Sequence, residues 1–413
     1  MGTRGFFAGS TVRQSAPGRM LPQCGACGLH RTCKTPKMRV GGQGDGLVLF
    51  VGEAPGDKED TQDDQFIGKA GQYLRRVLRS LDFDLDRDGL KTNAVICRPP
   101  KNRKPTPAEV VYCRPNLARA IKDLAPDVII PMGISAVSAV LGGIWGEDIG
   151  KMERWAGWRI PCQALNAWVC PTWHPTHLLR EEDPVLDRQF KAHIGAALEK
   201  TEPPWPAGPP EWGRNVTRIV SPNKAAAWLR KAATVKSGAI AWDYETNMLK
   251  PDWPDARIVS CAVAWGRNEP EKCIAFPWHG AAIKAMGDLL RSPVPKIASN
   301  LKFEERWTLK EFGRPVRRWA WDTMLAAHVG DNRPDITSVK FQAFIRLGVP
   351  VWNDKVGPFL KTKGDARVNA ILREIDIADL LQYNGLDALL EFRVACDQIR
   401  ELNHPWPWEG VTS

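Results

Sequence analysis

Short apolar runs alternate with amphipathic stretches along the first half of the chain. Leu47-Val-Leu-Phe-Val51 has the pattern of a strand buried on both faces, Gly71 to Leu81 predicts a helix, and Asp127-Val-Ile-Ile-Pro131 predicts a second buried strand leading into a helix of small residues. Trp168 to Cys170 predicts a short strand with a loop after it that carries His174. Strands alternating with helices predict a parallel α/β sheet. Further on the pattern changes. Ala239 to Glu245, Ile258 to Trp265 and Lys272 to Phe276 read as three consecutive strands, with helices after them, so the second half is expected to hold a mixed sheet. Between the halves, Thr201 to Gly213 contains five prolines. Proline lacks the backbone N–H and fixes φ, so this segment continues neither a helix nor a central strand and is expected to act as a stiff linker. The resulting division is a disordered start over residues 1–19, a domain over 20–200, the linker over 201–214 and a second domain over 215–413.

Composition narrows the class. A length of 413 residues exceeds one ordinary core, and 43% apolar with 25% charged residues fits a folded, soluble chain. No apolar run approaches the roughly 20 residues that span a bilayer, and the charged N-terminus lacks the apolar stretch of a secretory signal. No membrane partner is expected, and the expected location is cytoplasmic. In that reducing compartment the ten cysteines read as metal ligands or core thiols. A net charge of +10 suits a polyanionic partner, because cations near phosphates release counterions.

Cys24 and Cys27 form a CxxC pair, and Cys97 and Cys113 lie 16 positions apart, the first expected to end a strand and the second to open a helix. Four thiolates in two such pairs fit either zinc or an iron–sulfur centre, and spacing alone leaves both open. Around them stand, in order, Gly52-Glu-Ala-Pro-Gly56, Glu59-Asp60, Phe66-Ile-Gly-Lys-Ala-Gly71, Thr92-Asn-Ala-Val-Ile-Cys-Arg-Pro-Pro100 and His174-Pro-Thr176. This series closely resembles the family 4 uracil-DNA glycosylases, roughly over residues 20–200. The resemblance implies a parallel sheet with flanking helices and a 4Fe–4S cluster on Cys24, Cys27, Cys97 and Cys113. It also implies hydrolysis of the uracil N-glycosidic bond with no activating metal. A base flipped out of DNA must be stacked and hydrogen-bonded on its Watson–Crick edge. By this resemblance Phe66 stacks it and Asn93 supplies the amide. Glu53 or Glu59 orients the attacking water or steadies the sugar's developing positive charge, and His174 donates to O2 of the departing uracil. Gln65 stands where the family usually has proline. Arg98 to Pro107 carries four basic residues, which a cluster pinned at both ends of the loop would hold against phosphates. Cys33, Cys162 and Cys170 fall outside the pattern and read as ordinary thiols.

In the second half, Asp243 and Glu245 are two apart on a predicted strand and so share one face. Two acids side by side repel, and a divalent cation relieves them. Tyr383 and Asp387 are four apart on a predicted helix that Gly385 weakens. With Asn300-Leu-Lys-Phe-Glu304 and Trp321-Asp-Thr-Met324 between them, these residues resemble the DEDDy 3′-to-5′ exonucleases, the proofreading domain of family A DNA polymerases, with a ribonuclease H-like fold. The resemblance implies two Mg2+ or Mn2+ ions on Asp243, Glu245, Glu304 and Asp387, with Tyr383 orienting the attacking water and Asp322 a spare, structural acid. Glu304 stands where the family usually has Asp, which lengthens its reach by about 1.5 Å, one C–C bond. Trp228, Trp242 and Trp265 read as core. A sequence reaching Ser413 has no room for a polymerase palm, so the expectation is an exonuclease that works beside a separate DNA polymerase. The combined reading is a DNA-binding, bifunctional repair or replication enzyme. Its rivals are an active glycosylase with a non-catalytic, DNA-gripping second domain, and a non-catalytic replication accessory.

Overall fold

The structure, a computed structural model, describes residues 25–44, 47–146, 148–360 and 375–407. Cys24 and the start expected to be disordered over residues 1–19 lie outside the described residues. The chain forms two compact units, Met1–Pro209 with Leu347–Pro350, and Pro210–Arg346 with Val351–Ser413.

In the first unit, β1 (Val48–Gly52) is central, with β2 (Gly89–Asn93) parallel on one side and β3 (Val128–Pro131) parallel on the other. β4 (Ile160–Cys162) is an antiparallel edge on β5 (Ala167–Val169), which runs parallel to β3. The helices are α1 (Asp57–Gln62), α2 (Lys69–Arg79), α3 (Pro107–Leu124), α4 (Ile134–Leu141), α5 (Met152–Trp155), α6 (Pro175–Glu181) and α7 (Pro184–Leu198). Every residue of β1 is buried, as the continuous apolar run requires of a strand covered on both sides. Val48 and Phe50 pack with Leu74 and Leu78 of α2 and with Phe190 and Ile194 of α7. Each such large apolar side chain contributes about 1.5–3 kcal/mol on burial. The chain leaves β1 for β2 on one side and returns to β3 on the other. The loops after β1 and β3 therefore diverge and open a crevice at the strands' carboxyl ends, where α/β sheets bind ligands.

Two local expectations change. Cys97 lies four residues beyond β2, because β2 stops at Asn93, paired with the last residue of β1, Gly52. Cys113 sits inside α3, because Thr106 starts that helix with a reciprocal cap: its hydroxyl accepts from Glu109 N while the Glu109 carboxylate accepts from Thr106 N. The first part of the proline-rich segment lies against its own unit, with Trp205 Nε1 donating to Pro161 O and Trp168 Nε1 to Glu202 O.

The second unit contains β6 (Val216–Arg218), β7 (Ala239–Thr246), β8 (Ile258–Gly266), β9 (Pro270–Pro277), β10 (Lys296–Ala298) and β11 (Trp319–Asp322), in the order β11-β10-β7-β8-β9-β6. β7, β8 and β9 are an antiparallel meander, while β10 and β11 continue parallel beyond β7. That arrangement is ribonuclease H-like, with β6 added parallel beyond β9. The helices are α8 (Pro222–Ala232), α9 (Ala281–Arg291), α10 (Lys302–Phe312), α11 (Thr323–Gly330), α12 (Val339–Leu347), α13 (Gly357–Leu360) and α14 (Ile377–Glu401). On β7, Ile240, Trp242 and Tyr244 point into the core beneath α8 and α9, and the alternating residues face α14. Trp242 and Trp265 are core, while Trp228 is half-buried against Trp265. Gly385 has a packing reason inside α14: a Cβ there would meet Val216 Cγ1 at 2.2 Å, so glycine lets the helix settle onto β6. Among the described residues, no helix is long and apolar enough to cross a membrane.

Candidate active sites

The crevice of the first unit is a cavity of about 450 Å3 that brings Glu53, Glu59, Phe66, Asn93 and His174 together. Each comes from the carboxyl side of the sheet. Glu53 follows β1, Asn93 ends β2, and His174 caps α6 after β5. Gly52 keeps the floor open, because a Cβ there would stand 2.5 Å from Asn93 Oδ1 and 2.9 Å from Phe66 Cζ. Phe66 is buried and adopts φ 56°, a left-handed conformation that costs a bulky residue energy. Three contacts hold it there. Gln65 is buried and its Nε2 donates to Arg39 O, so the residue replacing the family's proline ties the loop down. Arg75 Nε donates to Phe66 O at 3.1 Å, and α2 presses on the Phe66 backbone at Gly71, where a Cβ would lie 2.0 Å from Phe66 C.

The two glutamates differ. Glu59 Oε1 accepts from Ile67 N at 3.1 Å and from Gly68 N at 2.7 Å, so its carboxylate is engaged by the loop that carries Phe66. Glu53 Oε2 accepts from Ser135 Oγ at 2.8 Å, at the start of α4, a contact across 82 positions that no motif announces. His174 Nδ1 accepts from Thr176 N at 3.2 Å, which places the neutral ring's proton on Nε2. Burial pushes the His174 pKa below the usual histidine value, and the Glu53 carboxylate opposes that shift. Replacing Glu59 by alanine removes the acceptor of two half-buried amides, and losing such a bond costs about 0.5–1.5 kcal/mol each. Glu59→Ala is therefore expected to lower the melting temperature and weaken substrate binding, whereas Glu53→Gln, which keeps the Ser135 bond, is expected to slow turnover at unchanged stability. Thermal melts beside steady-state kinetics check the split.

Cys27, Cys97 and Cys113 line one small cavity. Lys37 N donates to Cys97 Sγ at 3.3 Å and Ile96 N to Cys113 Sγ at 3.4 Å, bonds that favour the thiolate form and so fit a metal–thiolate centre. Cys33, read as an ordinary thiol, lies close enough to Cys97 to act on it: burial first, then Cys33 and Cys113, push the Cys97 thiol up. Cys162 and Cys170 are buried, and burial raises both thiols, which fits inert core residues. Of the four cations in the loop after Cys97, Arg98 pairs with Asp57 and Arg103 with Glu109, each at 2.6 Å, while Lys101 and Lys104 are exposed.

In the second unit Asp243, Glu245 and Asp387 each offer a carboxylate oxygen, and these oxygens lie within 4.8 Å of one another. Burial pushes Asp243 up to about 7, helped by Asp387, and raises Glu245 well above the usual carboxylate range, helped by Asp243. A divalent cation reverses that penalty. The tightness of this set fits a metal, and Asp243, Glu245 and Asp387 would hold it. Glu304, at the start of α10, is buried nearby but stands outside the triad. Tyr383 is buried, and burial followed by Asp387 raises its hydroxyl pKa, so it keeps its proton. Sequence reasoning missed three partners. Lys340 Nζ donates to Tyr383 Oη at 2.9 Å and Asp387 Oδ1 at 3.2 Å, Trp352 Nε1 donates to Asp387 Oδ1 at 2.9 Å, and Asn384 Nδ2 donates to Asp243 Oδ2 at 2.7 Å. Only Asn384 had a signal, as the residue beside Tyr383. Asp322 is structural: its two oxygens accept from the backbone N–H groups of Asn300, Leu301, Met324 and Leu325.

A mostly parallel, doubly covered sheet with a crevice at its carboxyl ends makes the first unit an α/β protein, and residues 40–199 match the Uracil DNA glycosylase superfamily. The chain belongs to this superfamily. The type-4 uracil-DNA glycosylase of Thermotoga maritima is 35% identical over 171 residues, which are 41% of this chain and 84% of that protein. The DNA polymerase of Bacillus phage SP01 is 33% identical over 393 residues, 88% of this chain, and the chain spans 41% of that polymerase. Among solved structures, Escherichia coli RNase D, an exoribonuclease involved in structured RNA processing, aligns at 16% identity and a TM-score of 0.34, covering 46% of this chain and 45% of that one.

Proposed function

We propose that the first unit is a type-4 uracil-DNA glycosylase and that the second is a two-metal 3′-to-5′ exonuclease acting on DNA. The observation that carries the first reading is the convergence of Glu53, Phe66, Asn93 and His174 in one crevice, within a chain that is 35% identical over 171 residues to a type-4 enzyme. In this mechanism the flipped uracil lies on Phe66, and Asn93 offers an acceptor to N3–H and a donor to O4, a pattern that cytosine inverts. Glu53 orients the attacking water, and Glu59 positions the Phe66 loop. As the N-glycosidic bond breaks, negative charge gathers on O2 of uracil, where the Nε2–H of neutral His174 donates. Cys24, Cys27, Cys97 and Cys113 would hold a 4Fe–4S cluster, which when bound supplies a rigid clamp on the basic loop between Cys97 and Cys113.

For the second unit, Asp243, Glu245 and Asp387 would hold a cation, with Glu304 beside them. Two cations about 3.5–4 Å apart stabilise the attacking and leaving oxygens of a phosphodiester. Tyr383, whose oxygen accepts from Lys340 and which keeps its proton, would orient the attacking water. The alignment with the phage polymerase runs through 88% of the chain. It supports a role next to DNA synthesis, with a polymerase as partner. A second reading, a second unit that grips DNA without cutting it, draws on Glu304 standing outside the triad and on Lys340 already neutralising Asp387.

Two assays separate these readings. The purified protein is expected to be brown and to release free uracil from a single-uracil duplex in EDTA, and no release would remove the glycosylase assignment. Shortening of a 3′-ended strand is expected only with Mg2+ or Mn2+. DNA binding with no shortening under any metal would favour the gripping role.

A further inference from the structure

We propose that Glu391 is a metal-binding residue: with Glu304 it forms an inner carboxylate pair that holds a second divalent cation, shared with Asp243. This rests on reading the second unit as a two-metal nuclease, and it adds a ligand beyond the four acids which that reading supplies. Tyr383, Asp387 and Glu391 follow at four-residue steps and so lie on one face of α14. α14 packs on β7, which carries Asp243 and Glu245, and on β10, whose chain continues into α10 and Glu304. Glu391 is 3% exposed and Glu304 4%, and Glu391 Oε1 and Glu304 Oε2 find no donor among the described residues. A buried carboxylate without a donor is too costly to stay ionised unless a cation meets it. Burial raises both acids well above the usual range, and the charge acting most on Glu391 is that of Glu304, followed by Asp243.

The neighbouring acid, Asp322, is already occupied. Asp322 spends its oxygens on four backbone amides and has no comparable need of a cation. The charge balance agrees. Asp243, Glu245, Glu304, Asp387 and Glu391 carry five negative charges when ionised, and the Lys340 ammonium bonded to Asp387 leaves four, which two divalent cations neutralise. The Asp243, Glu245 and Asp387 triad makes one position. The inner pair would make the other together with Asp243, Glu304 arriving from α10 and Glu391 from α14.

The test counts Mn2+ on the full-length protein from the free-ion EPR signal, with thymidine 5′-monophosphate added as a product analogue. The wild type is expected to bind two ions. Glu391→Gln keeps size and hydrogen bonding, and is expected to retain the tighter ion and weaken the second by at least about tenfold, the loss of one charge-assisted ligand worth about 1.4 kcal/mol. Glu304→Gln is expected to do the same, and Asp387→Asn to lose the tighter ion instead. Unchanged second-ion affinity in Glu391→Gln, or a wild type with one ion only, overturns the inference. A wild type that binds no Mn2+ at all sinks the nuclease reading instead. Should the glutamine variant fail to fold, Glu391→Asp, withdrawn by one bond, carries the same comparison.

Discussion

His174→Ala is expected to slow uracil release by about 100- to 1000-fold, with substrate binding little changed, the cost of removing one preorganised donor from a developing oxyanion. His174 is suited to that task by its surroundings more than by its identity. Thr176 N occupies Nδ1, which fixes the proton on Nε2, and burial keeps the ring neutral, so donation requires no prior protonation. The rate of the wild type should therefore not fall as pH rises from 6 to 8, as it would if an imidazolium were the donor. Gly133, where a Cβ would stand 2.9 Å from His174 Cβ, shows how closely the turn between β3 and α4 backs the residue. Single-turnover kinetics on a uracil duplex measure the effect. A variant releasing uracil at the wild-type rate would show that the donor is elsewhere.

Asp243→Asn is expected to abolish metal-dependent 3′ shortening, by about 1000-fold or more, because Asp243 is the acid that both cation positions share. The same substitution should change stability in the opposite direction. In the metal-free protein burial, with Asp387 next, pushes Asp243 from its usual 3.8 up to about 7. Between those values the folded state binds more protons than the unfolded state, so stability falls as pH rises. This contribution is fully present below about pH 3.8 and lost as pH passes 7. The wild type without metal should therefore melt several degrees lower at pH 8 than at pH 5.5, and Mn2+ should restore it. Asp243→Asn, still able to accept from Asn384 through its amide oxygen, should show a shallower pH slope and a higher metal-free melting temperature at pH 8. Scanning calorimetry in EDTA at both pH values measures both. Equal slopes in variant and wild type would mean that Asp243 does not carry the buried charge.

Much of this was legible before any fold was known, because it depends on spacing along one element. The all-apolar run at Val48 to Val51 reads as a strand covered on both faces. The alternation that buries Trp242 and Tyr244 puts Asp243 and Glu245 together on the other side. The four-residue step from Tyr383 to Asp387 marks one face of a helix. Motif order placed Glu53, Phe66, Asn93 and His174 as candidates.

What spacing cannot report is distance between elements, and the tertiary structure decided those points. Which groups reach Glu53 and Glu59 is one such point: Ile67 and Gly68 engage Glu59, and Ser135 engages Glu53. The Gln65 side chain secures its loop only because Arg39, 26 positions earlier, passes beside it. Lys340 lies 47 positions from Asp387 and Trp352 lies 35, so no periodicity links them to the acid they hydrogen-bond. Glu391, one turn past Asp387, resembles any helical glutamate in the sequence. Only burial against β7 and β10, which removes water from its carboxylate, makes its charge require a partner. The sequence by itself determined which residues share a face. Packing determined which faces meet, and with them which charges are left without water.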